Sequence, residues 1–169
     1  MVEKTQVVAL QASVSDREVE LEDQSKNEAN VLIANQLKKE GKGTEMMPRS
    51  AHWAPITAQR YLDLHMKGGA DDFFSSDWTD EELVNRLGHM SKIPQRQVIV
   101  AFSGADEYVP KHVNPKQLSE RLCRAMNGGK SSGVAQEFFL PSGNHNLSIS
   151  DGDKERFVKR VAESLGKLP

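Results

Sequence analysis

Two residues in this chain combine a useful chemical type with a position suited to chemistry. Asp106 stands in Ser103-Gly104-Ala105-Asp106-Glu107-Tyr108-Val109-Pro110, just after the apolar run Gln97–Ser103. His145 stands in Ser142-Gly143-Asn144-His145-Asn146, just after a second run that ends at Leu140. In open α/β sheets, reacting groups gather at the carboxyl ends of strands. A carboxylate that meets an imidazole there fixes its tautomer and stabilises the imidazolium formed when it takes a proton. Each residue also has a plain alternative. An Asp after a strand serves as a turn or cap residue, and a His in a Gly-Asn loop can simply be solvated.

The remaining candidates are weaker. Gly129-Lys130-Ser131-Ser132-Gly133 spells G-x-S-x-G, but it follows a helical pattern and precedes a strand, the reverse of a nucleophile elbow. It reads as a flexible turn, and Arg124 stands where a P-loop would need its first glycine. Cys123 shares a helical pattern with Leu118, Leu122 and Met126, as a structural thiol would. The acidic cluster Asp71, Asp72, Asp77, Asp80, Glu81 and Glu82 lacks the spacing of a calcium loop, and its last three members suit a helix N-terminus. His52, His65, His89 and His112 show no metal-ligand spacing. No metal and no cofactor is therefore expected. Trp53, Trp78, Phe73 and Phe74 read first as packing residues.

The elements that must position Asp106 and His145 follow from periodicity and stop signals. Val7 to Ala12 reads as a strand apolar enough for burial on both faces. A polar stretch then enters a helix with apolar Ala29, Val31, Leu32, Ile33 and Leu37, stopped by Lys38, Lys39 and Gly41. Ala54 to Met66 reads as a helix starting near Pro55. Thr79 and Glu82 have capping-box spacing ahead of Leu83, Val84 and Leu87. Gln97 to Ser103 is the second strand. Asn114-Pro115 starts a helix that runs to about Met126. Glu137 to Leu140 is the centre of a third strand, and a last helix from about Asp151 presents Phe157, Val158, Val161 and Leu165 on one face. Strands alternating with helices predict a parallel sheet. Residues 15–95 form a helical insertion between the first two strands, and residues 96–169 carry the acid and the histidine, all in one domain.

Composition bounds the partners. Among 169 residues, 22 Lys plus Arg face 24 Asp plus Glu, and the formal charge of −2 gives no electrostatic case for nucleic acid. No apolar run approaches the roughly 20 residues of a membrane span, so no membrane partner is expected. One cysteine excludes an internal disulfide, and the first residues do not have the make-up of a secretory signal; a cytoplasmic location is the expectation.

The sequence resembles the α/β-hydrolase fold downstream of its nucleophile strand. Gly104-x-Asp106-x-x-Val109-Pro110 is the form in which many members present the triad acid, and Gly143-x-His145 before the final helix is the form in which they present the histidine. More narrowly, the chain is similar to a fungal and plant hydrolase family, long of unknown function, that includes fungal siderophore esterases of the fusarinine type. Leu10 to Glu18, Pro55 to Ala58, Asp71 to Asp77, Ser103 to Pro110 and His145 to Ser148 carry this, with Ser13 where proline is expected. The resemblance implies a partial α/β-hydrolase fold of three parallel strands with flanking helices. It also implies a cap-like role for residues 15–95, a small-molecule ester as the family's substrate, and a catalytic pair of Asp106 and His145. It implies a nucleophile elbow as well, on a strand ahead of Val7, which these residues lack. The chain then reads as the C-terminal, truncated half of a serine hydrolase, inactive alone, whose first strand exposes an edge open to self-association or to a partner. A non-catalytic binding or interaction protein built on the same half-fold is the alternative.

Overall fold

A computed structural model describes residues 6–20, 24–93 and 95–166. The chain forms two compact units. One contains the residues up to Val14 and from Ser76 onward; the other is Ser15–Ser75.

The first unit is built on three parallel strands in the order β1 (Val7–Gln11), β2 (Gln97–Ser103) and β3 (Ala135–Leu140). Register pairs Val7 with Gln97 and Gln11 with Ala101, and on the other side Val98 with Ala135 and Ser103 with Leu140. β2 is central, and its residues from Val98 to Ser103 are buried, which is why it is the most apolar run in the chain. Alternation splits them between faces. Ile99 and Ala101 pack with Leu140 and Leu147 against Phe157 and Val161 of α6 (Asp151–Leu165). The opposite face carries Val98, Val100 and Phe102. α5 (Pro115–Met126) packs on β2 and β3 and buries Leu118, Leu122 and Met126. Each such side chain contributes about 1.5–3 kcal/mol of hydrophobic stabilisation. Asn114 caps α5 by accepting the Gln117 N–H, and Pro115 occupies its first turn.

α4 (Asp80–Leu87) starts with the expected capping box, Thr79 and Glu82 each bonding the other's backbone N–H. It runs into a 3-10 helix, Gly88–Lys92. Arg121 of α5 ties the head of α4 down. Its Nε donates to Asp80 and its Nη atoms donate to the carbonyls of Ser76 and Trp78.

Three local expectations change. β1 lies at the edge of the described sheet, as expected, but is not buried on both faces: its residues are half-buried and Ala9 is exposed. α6 turns Val158 and Leu165 outward, at 61% and 52% exposure, so only Phe157 and Val161 of the expected face reach the sheet. In the second unit, α3 (Ala58–His65) begins later than Pro55, because Thr57 bridges Met46 in extended backbone and caps the Arg60 N–H.

The second unit holds α1 (Asp16–Glu20), α2 (Gln24–Lys39) and α3. Its apolar centre is Ala34, Met47, Ala51, Ile56, Ala58, Tyr61 and Leu62. Leu32 of α2 is 70% exposed, outside that centre. A buried polar network accompanies it. Arg17 and Asp72 form an ion pair at 3.2 Å, Ser75 donates to Asp72, and the Ser15 and Ser75 hydroxyls lie 2.6 Å apart. Ser15 also accepts the Glu18 N–H, which starts α1 in a stretch without an apolar stripe.

Candidate active site

The parallel register puts the carboxyl ends of β2 and β3 side by side, and two hydrogen bonds stitch the loops that leave them. Gly104 N–H donates to the Leu140 carbonyl at 2.8 Å, and Ala105 N–H to the Gly143 carbonyl at 3.0 Å. Backbone crowding requires glycine at Gly104, and at Gly143 a larger residue would have to displace a leucine methyl. A Cβ on Gly104 would lie 2.6 Å from the Pro141 carbonyl oxygen, and one on Gly143 2.7 Å from a Leu147 methyl. These approaches bring Asp106 and His145 together. The imidazole Nδ1 lies 3.1 and 3.2 Å from the two carboxylate oxygens of Asp106.

The two partners differ in exposure. The Asp106 side chain is fully buried, whereas the His145 side chain is 37% exposed. Asp106 also accepts the Tyr108 N–H at 3.0 Å, and the Tyr108 ring meets the imidazole edge-on, with centroids 4.7 Å apart. An Nδ1–H directed at Asp106 leaves Nε2 as the basic atom on the open side of the ring. This is the arrangement required of a general base that later returns its proton as an acid.

The loop around His145 is ordered by its own side chains. The Asn144 amide oxygen accepts the Ser148 N–H at 2.8 Å, and the Leu147 N–H closes a turn on the Asn144 carbonyl, with Leu147 in the left-handed region at φ 55°. Asp153 in the first turn of α6 accepts the Ser142 N–H at 2.8 Å. Two further contacts reach the His145 backbone itself. The Gln11 amide donates to its carbonyl at 2.6 Å, and the Glu107 carboxylate accepts its N–H at 3.0 Å. That N–H is the main reason the Glu107 carboxyl lies below its ordinary pKa. Neither contact was read from the sequence. A polar residue ending an apolar strand, and a second acid beside Asp106, were the signals.

Ser131 lies elsewhere. It precedes β3, at the amino end of a strand whose carboxyl end leads to His145, and six strand residues span roughly 17–20 Å. It lines a cavity of about 420 Å³ with Cys123, Arg124, Glu120 and Glu137. Burial pushes the Cys123 thiol up to about 12, far from the reactive range. The acidic residues have other occupations: Asp72 pairs with Arg17, Asp80 with Arg121, and Glu82 sits in the capping box. His65 is buried on Tyr61, its ring 5.7 Å from that of His52, and burial first, then His52, lowers its pKa to about 4. No described helix is long and apolar enough to cross a membrane.

Comparison with known proteins agrees with this architecture. A siderophore hydrolase, EstB, from Aspergillus fumigatus superposes with a TM-score of 0.69 at 24% identity, covering 94% of this chain and 55% of its own. This gives the fold as α/β-hydrolase. The fusarinine C esterase sidJ of Aspergillus fumigatus is 31% identical over 125 residues, 68% of this chain and 35% of its own length. The UPF0613 protein PB24D3.06c of Schizosaccharomyces pombe is 30% identical over 150 residues, 81% of this chain and 47% of its own length. The chain thus spans about half, or less, of the length of the curated relatives it matches. Residues 2–166 match the family described as protein of unknown function DUF1749, and the chain belongs to that family.

Proposed function

We propose that this chain supplies the acid and the histidine of a serine-hydrolase centre that cleaves esters, with the nucleophile contributed from outside these residues. The observation that carries the reading is the buried Asp106 carboxylate on Nδ1 of a half-exposed His145. In this mechanism, His145 Nε2 takes the proton of a serine hydroxyl as that oxygen attacks the ester carbonyl. Asp106 holds the ring and stabilises the imidazolium. The same nitrogen then protonates the departing alcohol, and in the second half-reaction it activates water. The names of the two Aspergillus relatives favour siderophore esters as the substrate class. Residues 15–95 are proposed as the cap-like insertion of this one domain, and the cytoplasm as its location.

The test is a graft. Residues 2–166 replace the matching segment of the Aspergillus siderophore hydrolase, and hydrolysis of an activated ester is followed. A folded chimera should turn over, and His145→Ala should lower kcat about 10³-fold or more. A chimera whose activity is the same with and without His145 would refute the proposal. The chain by itself should stay at background, with or without Ser131→Ala.

β1 pairs with β2 alone among the described residues, so its outer N–H and C=O groups are open to a further strand. We propose self-association or partner binding at this edge. Sedimentation of the isolated chain should show concentration-dependent association that Val8→Lys reduces. A monomer at all concentrations would contradict it.

A further inference from the structure

We infer that Gln11 and Glu107 are positioning residues that hold the main chain of His145 from two sides; the inference rests on the proposed role of the Asp106–His145 pair. His145 sits in the loop between β3 and α6, whose other bonds serve residues on either side of it. Ala105 N–H takes the Gly143 carbonyl, Asp153 takes the Ser142 N–H, and Asn144 takes the N–H of Ser148. The peptide groups of His145 itself are met by two side chains from separate strand ends. Gln11, the last residue of β1, donates to the carbonyl at 2.6 Å across 134 positions of sequence. Glu107, after β2, accepts the N–H at 3.0 Å across 38 positions.

The two bonds act on opposite ends of one residue. Fixing both its N–H and its C=O fixes the direction of its Cα–Cβ bond, and with it the approach of Nδ1 to Asp106. The Glu107 bond is charge-assisted, the stronger kind. It also starts from the residue next to the acid, so the carboxylate and the imidazole are held in one frame. Gln11 leads into Ala12, whose left-handed φ of 52° and N–H bond to the Ala101 carbonyl set the turn at the end of β1. Each hydrogen bond ends on the backbone of His145 and acts on the imidazole by placing it; the Glu107 charge adds a smaller electrostatic interaction with the ring.

Solvent exchange of the His145 Nδ1–H proton, followed by NMR, tests this, with the unfolding midpoint as a control on folding. Gln11→Met and Glu107→Ala should each speed exchange about five- to tenfold, as loss of one hydrogen bond allows. Glu107→Gln keeps an acceptor oxygen but no charge, and should recover most of the wild-type protection. Asp106→Asn should abolish the protected proton. If Asp106→Asn changes nothing, the proposed pair itself falls. If Asp106→Asn acts but Gln11→Met and Glu107→Ala exchange like wild type, the positioning role alone falls. If Glu107→Gln behaves like Glu107→Ala, the charge rather than the tether is at work, and the inference is overturned. Should Gln11→Met fail to fold, the exposed Glu107 pair of variants decides the matter.

Discussion

Each unit of the chain contains a buried carboxylate facing a basic side chain, and the two pairs have opposite surroundings. In the Ser15–Ser75 unit, Arg17 and Asp72 are both sealed, at 9% and 1% side-chain exposure, and the Ser75 hydroxyl and the Gly68 N–H also donate to Asp72. In the sheet unit, Asp106 is equally buried, but His145 keeps a third of its side chain open. The same ingredients therefore do different work. A sealed pair can only hold structure, and removing one member leaves a buried charge without its counter-ion. A pair with one open partner can exchange a proton with something that arrives. Exposure of the basic member, rather than the presence of a pair, separates a candidate site from a brace.

The sharpest way to break this comparison is to remove each acid in turn. Asp72→Ala should destabilise the protein by about 3–5 kcal/mol, because it removes one member of a buried ion pair and the acceptor of the Ser75 hydroxyl and the Gly68 N–H. Asp106→Asn should cost only about 1 kcal/mol, since the amide oxygen can still accept the Tyr108 N–H. Denaturant unfolding of both variants measures the difference, and equal losses would erase the distinction.

A slightly smaller effect sharpens the same contrast through pH. Neither ring nitrogen of His65 has a partner among the described residues. Its folded pKa is about 4, below the usual 6.5. Between those values the unfolded chain takes up a proton that the folded chain refuses. Stability is then full above pH 6.5 and falls as pH drops toward about 4, by about 3 kcal/mol in all. Unfolding curves across this range should show the slope, and His65→Leu should remove it. An unchanged slope in that variant would assign the effect to other groups.

Much of the sheet unit was legible because its signals are local. The apolar run at Gln97–Ser103, the Thr79–Glu82 spacing and Asn114-Pro115 each announce an element within a few residues, and β2, α4 and α5 follow. Parallel strands then place the two loops that carry Asp106 and His145 next to one another. What was not legible depends on distant partners. Periodicity marks Val158 and Leu165 as apolar, yet cannot say that α6 meets the sheet through Phe157 and Val161 alone. α1 has no apolar stripe, because a Ser15 cap and a buried ion pair hold it. Gln11 reaches His145 across most of the chain. The burial of His65 likewise depends on α3 packing on Ala51 and Ile56, and spacing does not encode it.

The tautomer of His145 tests the central claim most directly. If Asp106 orients this imidazole for catalysis, the neutral ring carries its proton on Nδ1 and keeps Nε2 free. Ring-nitrogen NMR above neutral pH should show a protonated Nδ1 and an unprotonated Nε2, with Asp106→Asn shifting the population toward the other form. A wild-type ring protonated at Nε2, unaffected by Asp106→Asn, would contradict the account.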